Sequence, residues 1–242
     1  MNKTIVFAIA AIVVAACSVM AGPEIEIENN IVEFGLVPQR AHFVHTFKVR
    51  SIGDEPLVIR EIETFSDCLI VTLGKKVIPP GDSTFIHVVF DSQSYVGHRD
   101  RHPKVHTNAV NTGIRMLRIH TKARVIENME KLTPIHVTPH YLVASQYGDT
   151  GKRSYEVTIV NSYDKHIPLT LAQADTTYYH LEFPTYVAPH DSARISITLN
   201  DLGLNTSFEN SITFWYINDN EEQQYYSIPV KRKIYRPRPD SN

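Results

Sequence analysis

The stretch Phe43-Val44-His45-Thr46-Phe47-Lys48-Val49 indicates the fold class of this chain. Apolar and polar side chains alternate along it with a period of two, which predicts a strand with one face in a core. The same pattern recurs at Glu24–Glu28, Thr84–Phe90, Met116–Thr121 and Tyr155–Val160. Turn-forming residues such as Pro79-Pro80-Gly81-Asp82 and Ala188-Pro189-His190-Asp191 separate these stretches about every ten residues. Because no stretch has a sustained helical period, the sequence predicts an all-β fold of antiparallel immunoglobulin-like sandwiches.

Composition excludes several classes of protein. Of the 242 residues, 43% are apolar and 21% are charged, which is too apolar for a disordered chain and unlike a coiled coil. The formal net charge of -2 offers no general attraction for nucleic acid, so no nucleic-acid partner is expected. Two cysteines cannot form a disulfide-dense scaffold.

Residues 1–21 have the pattern of a secretory signal peptide. Lys3 is followed by an apolar run from Thr4 to Ala16, which is shorter than the roughly 18 residues that a membrane span needs. Cleavage between Ala21 and Gly22 is the favoured interpretation, because small residues precede that bond. The competing interpretation is a bacterial lipobox, in which Cys17 would become the lipidated first residue and the only link to a membrane. Either way Cys68 is left without a disulfide partner, and we expect it to be buried.

The chain resembles itself at an offset of about 110 residues. Phe47–Ser51 lies over Val157–Asn161, and Pro80–Ile86 lies over Pro189–Ile195. This offset is the length of an immunoglobulin-like domain. The sequence therefore predicts a signal peptide (1–21), a first domain (22–128), a short linker (129–133), a second domain (134–236) and a tail (237–242).

An ordered set of short motifs runs through the first predicted domain. They are Val32-Glu33-Phe34-Gly35, Gly53-Asp54-Glu55-Pro56, Ile78-Pro79-Pro80-Gly81-Asp82, Val105-His106-Thr107-Asn108 and Leu117–Ala123. In order and spacing they resemble a family of exported immunoglobulin-like domains of unknown function in Gram-negative cell envelopes, which is similar to PapD-like and sperm-protein-like sandwiches. The resemblance implies a periplasmic or envelope location and a binding or scaffold role. Family members usually carry a Cys-Gly-Cys turn where this chain has Ser66-Asp67-Cys68, so a paired-thiol redox or metal role is not expected.

The histidines and carboxylates form no recognisable catalytic motif. His98, His102 and His106 recur every four residues, but Gly97–Pro103 has the composition of a polar loop, so solvated loop histidines are expected rather than zinc ligands. No nucleophile elbow, HExxH motif or phosphate loop occurs. We therefore predict a protein that is not an enzyme and needs no cofactor or metal.

Charge is divided unevenly along the chain. Glu24–Asn128 contains 13 basic and 13 acidic residues, whereas Thr133–Val230 contains 4 basic and 11 acidic residues. Lys231–Arg238 then places 5 basic residues in a run of 8. The ordinary interpretation is a solvated strand end, and the functional one is contact with an anionic envelope polymer or lipid.

The last predicted hairpin contains the only tryptophan. If Ile212, Phe214 and Tyr216 face the core, a period of two turns Trp215 and Tyr225 to the opposite face. That face is either packed on the linker or first domain or a binding platform for sugar or a partner protein. The expected function is non-catalytic binding or scaffolding of an envelope protein or polymer. The alternatives are a chaperone-like sandwich with an open strand edge and an envelope glycan or peptide hydrolase.

Overall fold

A computed structural model describes residues 22–113, 115–148 and 151–235 of the chain. The predicted signal peptide, with Cys17 and Ala21, and the predicted tail lie outside these residues. Gly22, the residue after the predicted cleavage point, is buried, and its amide donates to Asp54 Oδ1 over 2.5 Å. No helix within the described ranges is long and apolar enough to cross a membrane.

Nearly all regular structure in the described residues is β-strand, as the alternation predicted. The N-terminal half (residues 22–128) contains β1 (Ile25–Ile27), β2 (Ile31–Pro38), β3 (His42–Ser51), β4 (Leu57–Glu63), β5 (Leu69–Leu73), β6 (Val77–Ile78), β7 (Ser83–Asp91), β8 (Gly97–Arg101), β9 (Lys104–Thr107), β10 (Met116–Arg118) and β11 (His120–Ile126). The C-terminal half (residues 129–235) contains β12 (Ile135–Thr138), β13 (Leu142–Val143), β14 (Gln146–Tyr147), β15 (Ser154–Asn161), β16 (Ile167–Pro168), β17 (Thr170–Ala174), β18 (Tyr179–Glu182), β19 (Tyr186–Val187), β20 (Ser192–Leu199), the helix α1 (Asp201–Asn205), β21 (Phe208–Ile217), β22 (Gln223–Arg232) and β23 (Ile234–Tyr235). Single 3-10 turns cover Val110–Thr112 and Met129–Lys131.

The same four-stranded antiparallel sheet is built in each half. Its order is β1-β3-β7-β5 in the N-terminal half and β12-β15-β20-β18 in the C-terminal half. The register is also the same, since Ile25 pairs with Ser51 and Ile135 pairs with Asn161. The internal offset of the sequence therefore corresponds to a repeated strand arrangement.

Each half has its own apolar core. Phe34, Phe43 and Phe90 pack together in the N-terminal half, with ring centroids 5.8 to 6.3 Å apart. In the C-terminal half, Phe214 and Tyr226 stack at 5.4 Å. Met129, in the predicted linker, is buried in the second of these cores. The predicted domain bounds remain a prediction.

A third sheet continues from one half into the other. Its order is β17-β21-β22-β2-β11-β8, and β13 pairs with β22 beside that path. The halves meet where β2 runs parallel to β22 at one paired position, Leu36 with Tyr226. Gly35 has a φ of +65°, and a methyl group added there would overlap the backbone of Tyr225. The close approach of the two strands therefore requires glycine at position 35.

Candidate functional site

Trp215 and Tyr225 lie directly opposite each other on the hairpin of β21 and β22. Both are half-buried, whereas the alternate residues Phe214 and Tyr226 are fully buried in the C-terminal core. Burial raises the pKa of Tyr226 far above its ordinary range and that of Tyr216 to about 12. The hairpin therefore has the two-sided arrangement that a period of two requires, with Trp215 and Tyr225 on the side away from that core.

That side of the hairpin faces the N-terminal half. Ser227 Oγ donates to the carbonyl oxygen of Phe34 over 2.7 Å, and Ser211 Oγ accepts from the amide of Val44 over 2.8 Å. Both serines are fully buried. The face that carries Trp215 and Tyr225 is thus used largely for packing between the halves, and a binding role for the pair stays a prediction.

A second set of contacts along this junction is ionisable. His42 Nδ1 lies 2.6 Å from Glu209 Oε2, and Lys231 Nζ lies 2.5 Å from Glu209 Oε1. Burial raises the pKa of Glu209, but the hydrogen bonds from Lys231 and His42 outweigh this effect, so the net shift is downward. Farther along β3, the ring of His45 contacts the side chain of Gln173, and burial lowers the pKa of His45. The halves are held together by buried and partly buried polar contacts as well as by the shared sheet.

Tyr225 also lines a cleft between the halves with a volume of about 570 Å³. His98 also lines the cleft, and its other walls carry charges of both signs, contributed by Glu33, Arg99, Asp100, Lys122, Arg124 and Glu222. Burial raises the pKa of Glu33. The hydrogen bond from the Gly35 amide and the positive charge of Lys122 act in the opposite direction, but the net shift is upward. The mixture of charges selects neither a simple anion nor a simple cation.

His98 lies on β8 and His106 on β9, whereas His102 lies in the short connection between these strands, so the predicted loop is wrong in part. Gly97–Arg101 forms β8, an edge strand that pairs with β11, because backbone hydrogen bonds to an existing sheet edge need no apolar alternation. His102 Nε2 lies 3.3 Å from Asp100 Oδ1 and His106 Nε2 lies 3.3 Å from Glu63 Oε1, so each histidine lies beside a different carboxylate. Among the described residues, no group of three or more His, Cys, Asp or Glu side chains could hold a metal ion.

Cys68 is a free cysteine and is completely buried, and its burial was expected. Its Sγ lies 2.9 Å from Ser66 Oγ, and Arg101 Nε donates to the same hydroxyl over 3.0 Å. Ser66 therefore tethers the loop that enters β5 to the edge strand β8.

β5 forms an uncharged edge of the β1-β3-β7-β5 sheet. Within the described residues it pairs with β7 on one side, and no strand pairs with it on the other. The carbonyl oxygen of Cys68 accepts from Asp91 and the amide of Gly74 donates to Phe85. Because antiparallel ladders alternate, the backbone groups of Leu69, Val71 and Leu73 then point away from β7. Ile70 is 52% exposed on the outer face of the same strand.

Sequence reasoning missed β5 as a candidate site. The signal was present as a short continuous apolar run, Leu69-Ile70-Val71-Thr72-Leu73, that ends at Gly74. Such a run can be a strand or part of a buried helix, and only its pairing partner reveals that it is an edge.

Several solved structures are similar to this chain at low identity. A protein of unknown function from Porphyromonas gingivalis is 12% identical, with 86% of this chain and 99% of that chain covered and a TM-score of 0.35. The PapD-like domain 7 of human CEP192 is 10% identical over 52% of this chain and 99% of that chain, with a TM-score of 0.37. The E. coli chaperone DraB is 12% identical over 85% of this chain and 97% of that chain, with a TM-score of 0.32.

At the level of sequence, part of the chain matches a family model. No curated protein matches the chain. Residues 25–123, which make up most of the N-terminal half, match the model of a family described as a protein of unknown function, DUF1573.

Proposed function

We propose that the protein is a non-catalytic binding module of the Gram-negative cell envelope that captures an extended segment of another exported protein at the edge of β5. The observation that carries this proposal is the run of five uncharged residues whose outer backbone groups have no partner within the described residues. Unpaired strand edges are templates for an added strand, because the incoming chain supplies the missing hydrogen bonds.

Three other strand edges carry features that oppose pairing. β8 contains Arg99, Asp100 and Arg101, and charged side chains on an edge discourage strand addition. β18 is the counterpart of β5 in the repeated sheet, but it contains His180 and Glu182. β17 is uncharged, yet its register shifts between Leu171 and Gln173, so its ladder is interrupted. Of these edges, β5 combines an unbroken register with an absence of charge.

The chemistry of the edge favours an extended polypeptide as the occupant. Leu69, Val71 and Leu73 would contribute three backbone positions, and the exposed Ile70 side chain would contact the neighbouring side chain of the added strand. A partner segment with apolar or β-branched residues and little charge fits this surface. The predicted signal peptide supports an exported partner.

Photo-crosslinking tests this proposal in the cells that produce the protein. A photoreactive side chain at position 70 should yield a crosslinked exported protein, and one at position 160 should not. Val160 is the matched control because it is 36% exposed on β15, which is paired on both sides. The adduct from position 70 should disappear in Val71→Pro, which removes an outward amide without removing a bond to β7. Equal adducts from both positions, or an adduct insensitive to Val71→Pro, would contradict the proposal.

A chaperone-like role is the second candidate, favoured by the lack of charge on the same edge. Such a protein would bind unfolded clients through β5 and suppress their aggregation. Purified wild-type protein and Val160→Lys should then both protect a reduced, aggregation-prone client, whereas Ile70→Lys should protect it less. Protection by none of the three would exclude this role and leave capture of a folded partner.

A further inference from the structure

Two exposed tyrosines stand together at one end of the C-terminal half. β14 runs parallel to β23, and Tyr147 pairs with Tyr235 in that register. The two rings stack with their centroids 4.7 Å apart and an angle of 4° between their planes. Tyr147 is 72% exposed and Tyr235 is 40% exposed. Lys233 Nζ lies 5.0 Å from the centroid of Tyr235. We call Tyr147, Tyr235 and Lys233 the tyrosine platform.

The backbone beneath the platform is rigidly connected. The amide of Gly148 donates to the carbonyl oxygen of Tyr235 over 3.0 Å, and that of Gln146 donates to Lys233 over 2.9 Å. Below them the buried guanidinium of Arg232 donates to the carbonyl oxygen of Ala144 over 2.7 Å and to Gln146 Oε1 over 2.6 Å. A platform fixed in this way loses little conformational entropy when a ligand binds.

The charge around the platform differs from that of the rest of this half. Thr133–Val230 has 4 basic and 11 acidic residues, yet within the described residues no carboxylate lies within ion-pair distance of Lys233. The neighbouring Lys231 is paired with Glu209 and is therefore largely neutralised. Lys233 thus places a cation beside a flat aromatic surface, and no carboxylate of the described residues competes with an anionic ligand for it.

We propose that the tyrosine platform binds an anionic polysaccharide. The apolar C–H face of a pyranose ring matches the flat exposed ring of Tyr147, and the tyrosine hydroxyls can bond to sugar hydroxyls at the rim. A carboxylate or other acidic group on the sugar would pair with Lys233. A bilayer fits less well, because the stacked rings present flat faces with Lys233 beside them instead of apolar side chains that can insert. This site lies in a different half from β5, so its test is independent of the proposed function.

Binding measurements with three soluble probes separate the chemistry. Polygalacturonate has both sugar faces and carboxylates, dextran has sugar faces alone, and inorganic polyphosphate has charge alone. Wild-type protein should bind polygalacturonate more tightly than either of the other two. Tyr147→Ala should weaken that binding about 5-fold or more, and Tyr147→Phe should stay within about 2-fold of wild type, because the aromatic face is retained.

The remaining variants test the cation and the specificity of the surface. Lys233→Gln should weaken binding about 3-fold and reduce its dependence on salt. Tyr186→Ala should bind as wild type does, because Tyr186 is a similarly exposed tyrosine (55%) on β19, away from this strand pair. Equal binding by wild type and Tyr147→Ala would overturn the proposal. Polyphosphate binding as tight as that of polygalacturonate would also overturn it, as would binding to phosphatidylglycerol vesicles without binding to polygalacturonate.

Discussion

Gly35→Ala is the substitution that most directly tests how the two halves are joined. Gly35 has a φ of +65°, a conformation that costs an L-residue about 1–2 kcal/mol. The added methyl group would overlap the carbonyl group and the Cβ atom of Tyr225, so β2 and β22 would have to part by roughly 1 Å or more. Overpacking of this kind costs about 1–3 kcal/mol.

The expected loss of stability is therefore about 3 kcal/mol. For a chain of this size, such a loss lowers the midpoint of thermal unfolding by about 6–12 °C. Circular dichroism would measure the midpoint, and the fluorescence of Trp215 would report the junction, because Trp215 is the only tryptophan and lies opposite Tyr225.

Gly81→Ala is the control that measures the cost of the positive-φ backbone conformation without any steric overlap. Gly81 has a φ of +79°, and nothing lies within 4 Å of a methyl group added there. This variant should lower the midpoint by about 2–8 °C, which is less than the effect of Gly35→Ala. If Gly35→Ala unfolded at the same temperature as Gly81→Ala and left the Trp215 emission unchanged, the close contact of β2 with β22 would be refuted.

Four further predictions concern other features of the chain. The thiol of Cys68 should resist a thiol reagent in the native state and react in denaturant, because it is completely buried; reaction at the same rate in both would contradict this. Burial lowers the pKa of His45 in the folded protein, so below pH 6.5 the unfolded chain takes up a proton at this residue before the folded protein does. The free energy of unfolding, measured by urea titration, should therefore decrease as the pH falls below 6.5. The variant His45→Gln should lose this part of the pH dependence. Arg232→Met should cost about 2 kcal/mol or more in urea unfolding, because it leaves the carbonyl oxygens of Ala144 and Leu204 without their donor; an unchanged midpoint would show that these bonds contribute little. If cleavage follows Ala21, the protein should not incorporate a labelled fatty acid supplied to the cells. Incorporation by the wild type that is lost in Cys17→Ala would establish the lipobox interpretation.

The local pattern of the sequence predicts the repeated part of the fold well. The offset of about 110 residues places Ser51 over Asn161, and in the structure both residues end the second strand of a four-stranded sheet. The amide of Ser51 donates to Asp82 and that of Asn161 donates to Asp191, each over 3.0 Å. These positions are predictable because alternation and turn chemistry act over a few neighbouring residues.

The features that join the halves and form the candidate sites depend on distant partners. β8 has a polar sequence and becomes a strand because β11 offers it backbone groups. The open edge of β5 is defined by the absence of a neighbour within the described residues, which a short apolar run does not specify. The tyrosine platform brings together Tyr147 and Tyr235, which are far apart in sequence and polar enough to be expected in solvent.

The central claim is that the outer backbone groups of β5 are open in the free protein and become paired when a partner binds. Amide hydrogen exchange, resolved by residue, measures this directly. In the free protein, Leu69, Val71 and Leu73 should exchange quickly while Ile70 and Thr72 are protected by β7. In complex with the partner recovered by crosslinking at position 70, the first three should become protected as well. Uniform protection from Leu69 to Leu73 in the free protein, or no slowing at these three residues in the complex, would contradict the claim.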